Sequence, residues 1–197
     1  MVEDQNFLRV KQSFFLIIFF FIFQSNSFSQ NYNFQKLIEI DGPWGSSFIN
    51  NNELIFTEKN GKIKIVDINS KRISEIKHNL NYLVHGQGGL LDILFKDNFI
   101  YISYSENRGN GQSSTSIAKA KFNKNKLNFK NIFQAEPPIN SGYHFGSRLA
   151  IKGNNLFASA GERGKGMIAQ DPTKHPGSII RINLDGSIPK DNPKFTG

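Results

Sequence analysis

The chain has 197 residues, enough for one domain with a real core, and its 24 Lys and Arg against 16 Asp and Glu give a net charge of +8. It has no cysteine, which excludes thiol catalysis, thiolate metal sites and a disulfide framework. The lysines are scattered, without a compact basic stripe or an aromatic stacking motif, so nucleic acid is not an expected partner.

Arg9 and Lys11 precede ten unbroken apolar residues, Phe14–Phe23, and a polar stretch ending Ser27-Phe28-Ser29 follows. A helix of that length covers about 15 Å, half a bilayer core, so residues 1–29 read as a secretory signal peptide cleaved before Gln30. Residues 30–197 keep the net charge of +8, because Arg9 and Lys11 leave with Glu3 and Asp4. The expected product is exported and periplasmic, with no stable membrane insertion after cleavage.

The rest reads as strands almost throughout. Leu54–Thr57 and Lys62–Val66 flank the turn Glu58-Lys59-Asn60-Gly61, and Lys62-Ile63-Lys64-Ile65 alternates polar with apolar as a half-buried strand does. Leu90–Phe95 and Phe99–Tyr104 flank Lys96-Asp97-Asn98, and Ser116–Phe122 and Leu127–Phe133 flank Asn123–Lys126. These strands fall into recurring groups. The first runs Ser46–Asn50, Leu54–Thr57, Lys62–Val66, Ile73–His78; the second Leu90–Phe95, Phe99–Tyr104, Ser116–Phe122, Leu127–Phe133; a third begins Arg148–Lys152, Leu156–Ala160, Ser178–Asn183. Four strands per period is the arithmetic of β-propeller blades, and a propeller needs about four to eight of them to close. A β-sandwich is the alternative that strand content alone leaves open.

Chemistry concentrates in residues 141–164. The runs Leu149–Ile151 and Leu156–Ala160, joined by Gly153-Asn154-Asn155, form a hairpin that brings His144 and Arg148 to the same open end as Glu162 and Arg163. A histidine within reach of a carboxylate is the minimum for a general base held in one tautomer. His78, His85 and His175 lack metal-ligand spacing, and no acidic cluster has the spacing of a calcium loop.

Four stretches occur in order: Gly42-Pro43-Trp44-Gly45-Ser46-Ser47-Phe48, Gly86-Gln87-Gly88-Gly89-Leu90-Leu91-Asp92, Gly142-Tyr143-His144-Phe145-Gly146-Ser147-Arg148-Leu149, and Ile180 to Pro193 with its Asn183-Leu184-Asp185-Gly186-Ser187 core. Together they resemble the glucose/sorbosone dehydrogenase family, the soluble aldose sugar dehydrogenases that use pyrroloquinoline quinone (PQQ), over residues 40–197. The resemblance implies an all-β, six-bladed propeller of which about three blades lie in this chain, so that residues 30–197 form the N-terminal part of the domain. It implies oxidation of the anomeric hydroxyl of an aldose to a lactone, with electrons passing to an external acceptor. By the same resemblance His144 is the general base, Glu162 orients it, and Gln87 lines the sugar and quinone site. Calcium accompanies PQQ in the family, with its ligands expected mostly beyond residue 197, as are the basic residues that hold the quinone's carboxylates. The 197 residues alone are therefore expected to be inactive. Tyr143 stands where some relatives have an acidic residue, which leaves the preferred sugar open. Arg148 and Arg163 read equally as structural pairs or ligand contacts, and Trp44 as packing under the first blade. The rival functions are a periplasmic propeller that binds glycans or proteins, and a metal-dependent lactonase.

Overall fold

A computed structural model describes residues 32–194; the expected signal peptide lies outside them. The chain divides into two units, 1–36 and 37–197, and every regular element of the described residues belongs to the second.

The described residues form twelve strands and one short 3-10 turn, Gly166–Gln170. Strands β1 (Pro43–Phe48), β2 (Glu53–Glu58), β3 (Lys62–Asp67) and β4 (Ile73–His78) make one antiparallel meander. A second consists of β5 (Leu90–Lys96), β6 (Phe99–Asn107), β7 (Ser113–Lys121) and β9 (Lys130–Gln134), and a third of β10 (Gly146–Lys152), β11 (Asn155–Ala160) and β12 (Ser178–Asn183). The first strands stand together, with β5 packed against both β1 and β10. Three meanders arranged about their first strands are three blades of an incomplete propeller.

The run expected as one strand, Leu127–Phe133, is two. Lys126–Leu127 forms β8, which pairs in parallel with the end of β4, and the chain resumes only at Lys130. The break has a physical cause. Asn79 accepts from the Phe129 N–H at 2.7 Å and donates to its carbonyl at 3.1 Å, drawing Phe129 into the core between the first two sheets. A side-chain amide thus replaces a strand partner there.

Alternation places one apolar face of each sheet against the next. Ile55, Ile63, Ile65 and Ile76 of the first sheet meet Ile93, Ile100, Ile102 and Tyr104 of the second. The opposite face of the second, with Tyr101 and Ile117, meets Leu149, Leu156, Ala158 and Ile182 of the third. Fully burying side chains of this size stabilises by about 1.5–3 kcal/mol each, so the interfaces between blades carry the fold.

A bulge recurs at the same place in each blade. Trp44-Gly45 in β1, Leu91-Asp92 in β5 and Ser147-Arg148 in β10 each set two residues against one, and that one is Thr57, Ser103 or Ser159. The hydroxyl has two uses. It accepts the second bulge residue's N–H within its own blade: Gly45 on Thr57, Asp92 on Ser103, Arg148 on Ser159, all at 3.0 Å. It then donates to the first bulge residue's carbonyl in the following blade, Thr57 to Leu91 at 2.5 Å and Ser103 to Ser147 at 2.6 Å. The register extends the repeat, since Thr57, Ser103 and Ser159 pair with Ile63, Ile117 and Ile179. The first two isoleucines are fully buried against the next sheet, whereas Ile179 is 71% exposed. Among the described residues no sheet covers that face of the third blade.

Candidate active site

Three loops meet where β5 and β10 begin and β11 ends: residues 85–89, 139–145 and 161–165. Glycine permits their close approach. A Cβ on Gly86, which has φ +56°, would stand 2.4 Å from the Gly142 carbonyl, and one on Gly161 would stand 1.9 Å from that of His144. With hydrogen in those places, Gln87 N–H donates to Gly142 O at 2.7 Å and Gly161 N–H to Phe145 O at 3.0 Å. No larger residue fits without moving the backbone.

His144 sits at this junction with φ +49°, the left-handed region that is costly for a residue with a Cβ. The cost is offset by bonds on both sides of the residue. Its N–H donates to Gln87 Oε1 at 2.8 Å, and its carbonyl accepts from Arg163 N–H at 3.4 Å. The imidazole Nδ1 is hydrogen-bonded to Glu162 Oε1, which also accepts from Gly164 N–H at 3.1 Å. The hydrogen bond to His144 is the main reason the Glu162 carboxyl lies below its ordinary range; burial opposes it, and backbone N–H groups assist. An ionised Glu162 is an acceptor only, so in the neutral imidazole the proton resides on Nδ1 and Nε2 keeps its lone pair. That arrangement suits proton abstraction, and the His144 side chain is 54% exposed at the rim.

Beside the pair lies a hollow of about 380 Å³, lined by His85, Asn140, Tyr143, Arg163 and Lys165 among others. Tyr143 is 62% exposed, its ring centroid 6.1 Å from that of His144. Arg163 is 2% exposed, and its guanidinium reaches the carbonyls of Ser113, Ser141 and Tyr143. Desolvation pushes its pKa down to about 10.

The structure brings together His144, Glu162 and Gln87, although Gln87 comes from a different blade. It does not bring Arg148 to them. The Ser147-Arg148 bulge interrupts the hairpin's alternation, and the Arg148 guanidinium lies 3.5 Å from Asp92, 79% exposed. The turn is shorter than expected too, because Lys152 pairs directly with Asn155. Trp44 is 44% exposed and does not lie buried beneath the first blade. His78 ends β4, with Nε2 2.8 Å from the Gly61 carbonyl.

One contributor escaped sequence reasoning. Asp92 is a brace: its carboxylate, 4% exposed, accepts from Leu149 N–H at 2.8 Å and Ile93 N–H at 3.0 Å, tying β5 to β10. Arg163 lies at the hairpin's open end as expected, and its bonds to Ser113, fifty residues upstream, show it as a structural contact among the described residues. Only the recurring position of the bulges could have pointed to Asp92.

The glucose/sorbosone dehydrogenase family profile matches residues 40–197. The chain belongs to the glucose/sorbosone dehydrogenase family. It is 30% identical over 165 residues to the aldose sugar dehydrogenase YliI of Escherichia coli K12, an alignment covering 79% of this chain and 44% of that protein. The apo structure of the soluble aldose sugar dehydrogenase from Escherichia coli superposes with a TM-score of 0.73 at 30% identity, covering 78% of this chain and 47% of that one. The PQQ-bound aldose sugar dehydrogenase of Streptomyces coelicolor shares the fold, with a TM-score of 0.70 at 24% identity over 79% of this chain and 48% of that one. This member of the glucose/sorbosone dehydrogenase family thus spans less than half the length of the curated relatives it matches.

Proposed function

We propose that these residues form the base-bearing side of a PQQ-dependent aldose dehydrogenase site, in which the anomeric hydroxyl is oxidised to a lactone. The observation that carries the reading is the His144–Glu162 pair at the mouth of the blades, in a chain of a family whose relatives include an aldose sugar dehydrogenase. Glu162 fixes the tautomer, Nε2 of His144 takes the hydroxyl proton, and the carboxylate stabilises the imidazolium that results. Gln87 holds the backbone of His144 through its Oε1, and its amide NH2 is a donor that a sugar hydroxyl can use.

The chemistry of the donor set fits one wall of a quinone site: a base, an amide and, in Lys165, a cation at the adjoining hollow. PQQ, when bound, supplies the acceptor for the hydride leaving the anomeric carbon. Calcium does not fit the described residues, among which no group of three His, Asp or Glu side chains gathers. An external electron acceptor completes the turnover, and the leader over residues 1–29 directs the product to the periplasm.

The test is dye reduction by aldoses with PQQ and calcium, using the whole gene product that carries these residues. His144→Ala is expected to lower kcat by about 10²–10⁴-fold, and ordinary turnover in that variant would remove the proposed base. The 197 residues alone are expected to oxidise no aldose. Lactone hydrolysis with added divalent metal, or glycan binding without turnover, would favour the rival readings.

A further inference from the structure

We propose that Arg163 is the positioning residue of the His144 base: its guanidinium fixes the main chain that precedes His144 and the Phe145 ring that follows it, and takes no part in holding sugar or carboxylate ligands. The proposal rests on the reading of His144 as the base.

A buried arginine beside an active site ordinarily suggests an anion partner, and the basic groups of the adjoining hollow, His85 and Lys165, strengthen that first impression. The geometry points elsewhere. Nε donates to Tyr143 O at 3.0 Å, Nη1 to Ser113 O at 2.9 Å, and Nη2 to Ser113 Oγ at 3.0 Å and to Ser141 O. Four of the five guanidinium donors are thereby committed within the protein. The guanidinium carbon lies 3.6 Å above the Phe145 ring, which covers one face of the cation. Among the described residues no carboxylate forms an ion pair with it.

The contacts bracket one residue. Ser141 and Tyr143 precede His144, Phe145 follows it, and the Arg163 N–H itself reaches the His144 carbonyl. Three positive-φ residues, His144, Ser147 and Arg163, cluster within this frame, so the strained conformation that presents the imidazole is held by surrounding bonds. Ser113 belongs to the second blade and the other partners to the third or its approach, so the clamp also fixes the base relative to the blade that precedes it. Lysine cannot substitute. One ammonium keeps the charge but cannot reach Ser113, Ser141 and Tyr143 together in a planar fork.

The experiment is NMR of the His144 ring on the 197-residue chain, with Arg163→Lys as the variant and Phe145→Leu as a milder second one. In the unmodified chain, long-range nitrogen correlations are expected to show Nδ1 protonated, with one downfield proton shared with Glu162. Folded Arg163→Lys is expected to lose that downfield proton and to show mixed tautomers; Phe145→Leu, which keeps every guanidinium hydrogen bond donor, is expected to weaken the signal without abolishing it. If Arg163→Lys does not fold, Phe145→Leu decides alone. An unchanged His144 spectrum in whichever variant folds overturns the proposal, as does a shift of the Arg163 guanidinium signals on adding phosphate, PQQ or glucose. In dye assays of the gene product, Arg163→Lys is expected to lower kcat about 10- to 100-fold at unchanged KM. A raised KM with kcat intact would instead make Arg163 a ligand contact. Because the ring spectrum needs no turnover, loss of the clamp is distinguishable from loss of the base reading, which normal turnover in His144→Ala would bring.

Discussion

Replacing Ser103 by alanine removes one oxygen from the junction of the second and third blades, and the structure states what that oxygen holds. Ser103 is fully buried. Its Oγ accepts from Asp92 N–H at 3.0 Å and donates to Ser147 O at 2.6 Å. Asp92 and Ser147 are themselves 3% and 0% exposed, so neither group finds water once the hydroxyl is gone. Each of the two orphaned groups costs about 1–3 kcal/mol, which puts Ser103→Ala at about 2–6 kcal/mol in all. At about 2–4 °C per kcal/mol for a chain of this size, the melting temperature is expected to fall by about 4–24 °C. Ser159→Ala is the internal control. Its hydroxyl accepts the same kind of N–H, from the exposed Arg148, and donates to no following blade among the described residues, so water replaces it at about 0–1 kcal/mol. Urea unfolding followed by circular dichroism, with calorimetry for the melting temperature, measures both. A Ser103→Ala chain as stable as the parent, or a Ser159→Ala chain equally destabilised, would refute the idea that the hydroxyl relay couples the blades.

Two further outcomes concern titration. The Glu162 carboxyl lies below its ordinary range chiefly through its hydrogen bond to His144. A depressed carboxyl contributes stability above its unfolded pKa and loses it as pH falls through the folded one, so carbon NMR of the Glu162 carboxyl should show its midpoint rise toward the ordinary value in His144→Ala. An unmoved midpoint would break the link between the two. Burial raises the Tyr104 phenol to about 12, with the nearby Glu106 adding to the effect. A raised phenol contributes stability below its unfolded pKa near 10 and loses it as pH climbs toward 12, so absorbance titration should find one tyrosine ionising late and a chain that unfolds more readily in that range. Tyr104→Phe should flatten that slope while losing the 2.7 Å bond to Asn131.

Much of the blade pattern could be read locally. Alternating Lys62-Ile63-Lys64-Ile65 becomes β3, and Ile73–His78 and Ser178–Asn183 are strands with the boundaries the sequence suggests. Leu127–Phe133 failed because its division depends on Asn79, fifty residues upstream, capturing the backbone of Phe129. Arg148 failed because a bulge reverses which side of a strand a residue occupies, and nothing within the hairpin announces it.

The sequence by itself determined the strand content, the four-stranded period, the family and the pairing of His144 with Glu162, because each rests on local alternation or on motifs within about twenty residues. Only the tertiary structure decided that Gln87 supports the His144 backbone, that Asp92 and the Thr57 and Ser103 hydroxyls fasten one blade to the next, and that Arg163 grips the loop carrying the base. The bonds of Gln87, Asp92, Thr57, Ser103 and Ser113 across the blades join residues 34 to 57 positions apart. Hydrogen-bond complementarity over such separations arises when blades pack, and a linear reading of charge and periodicity does not contain it.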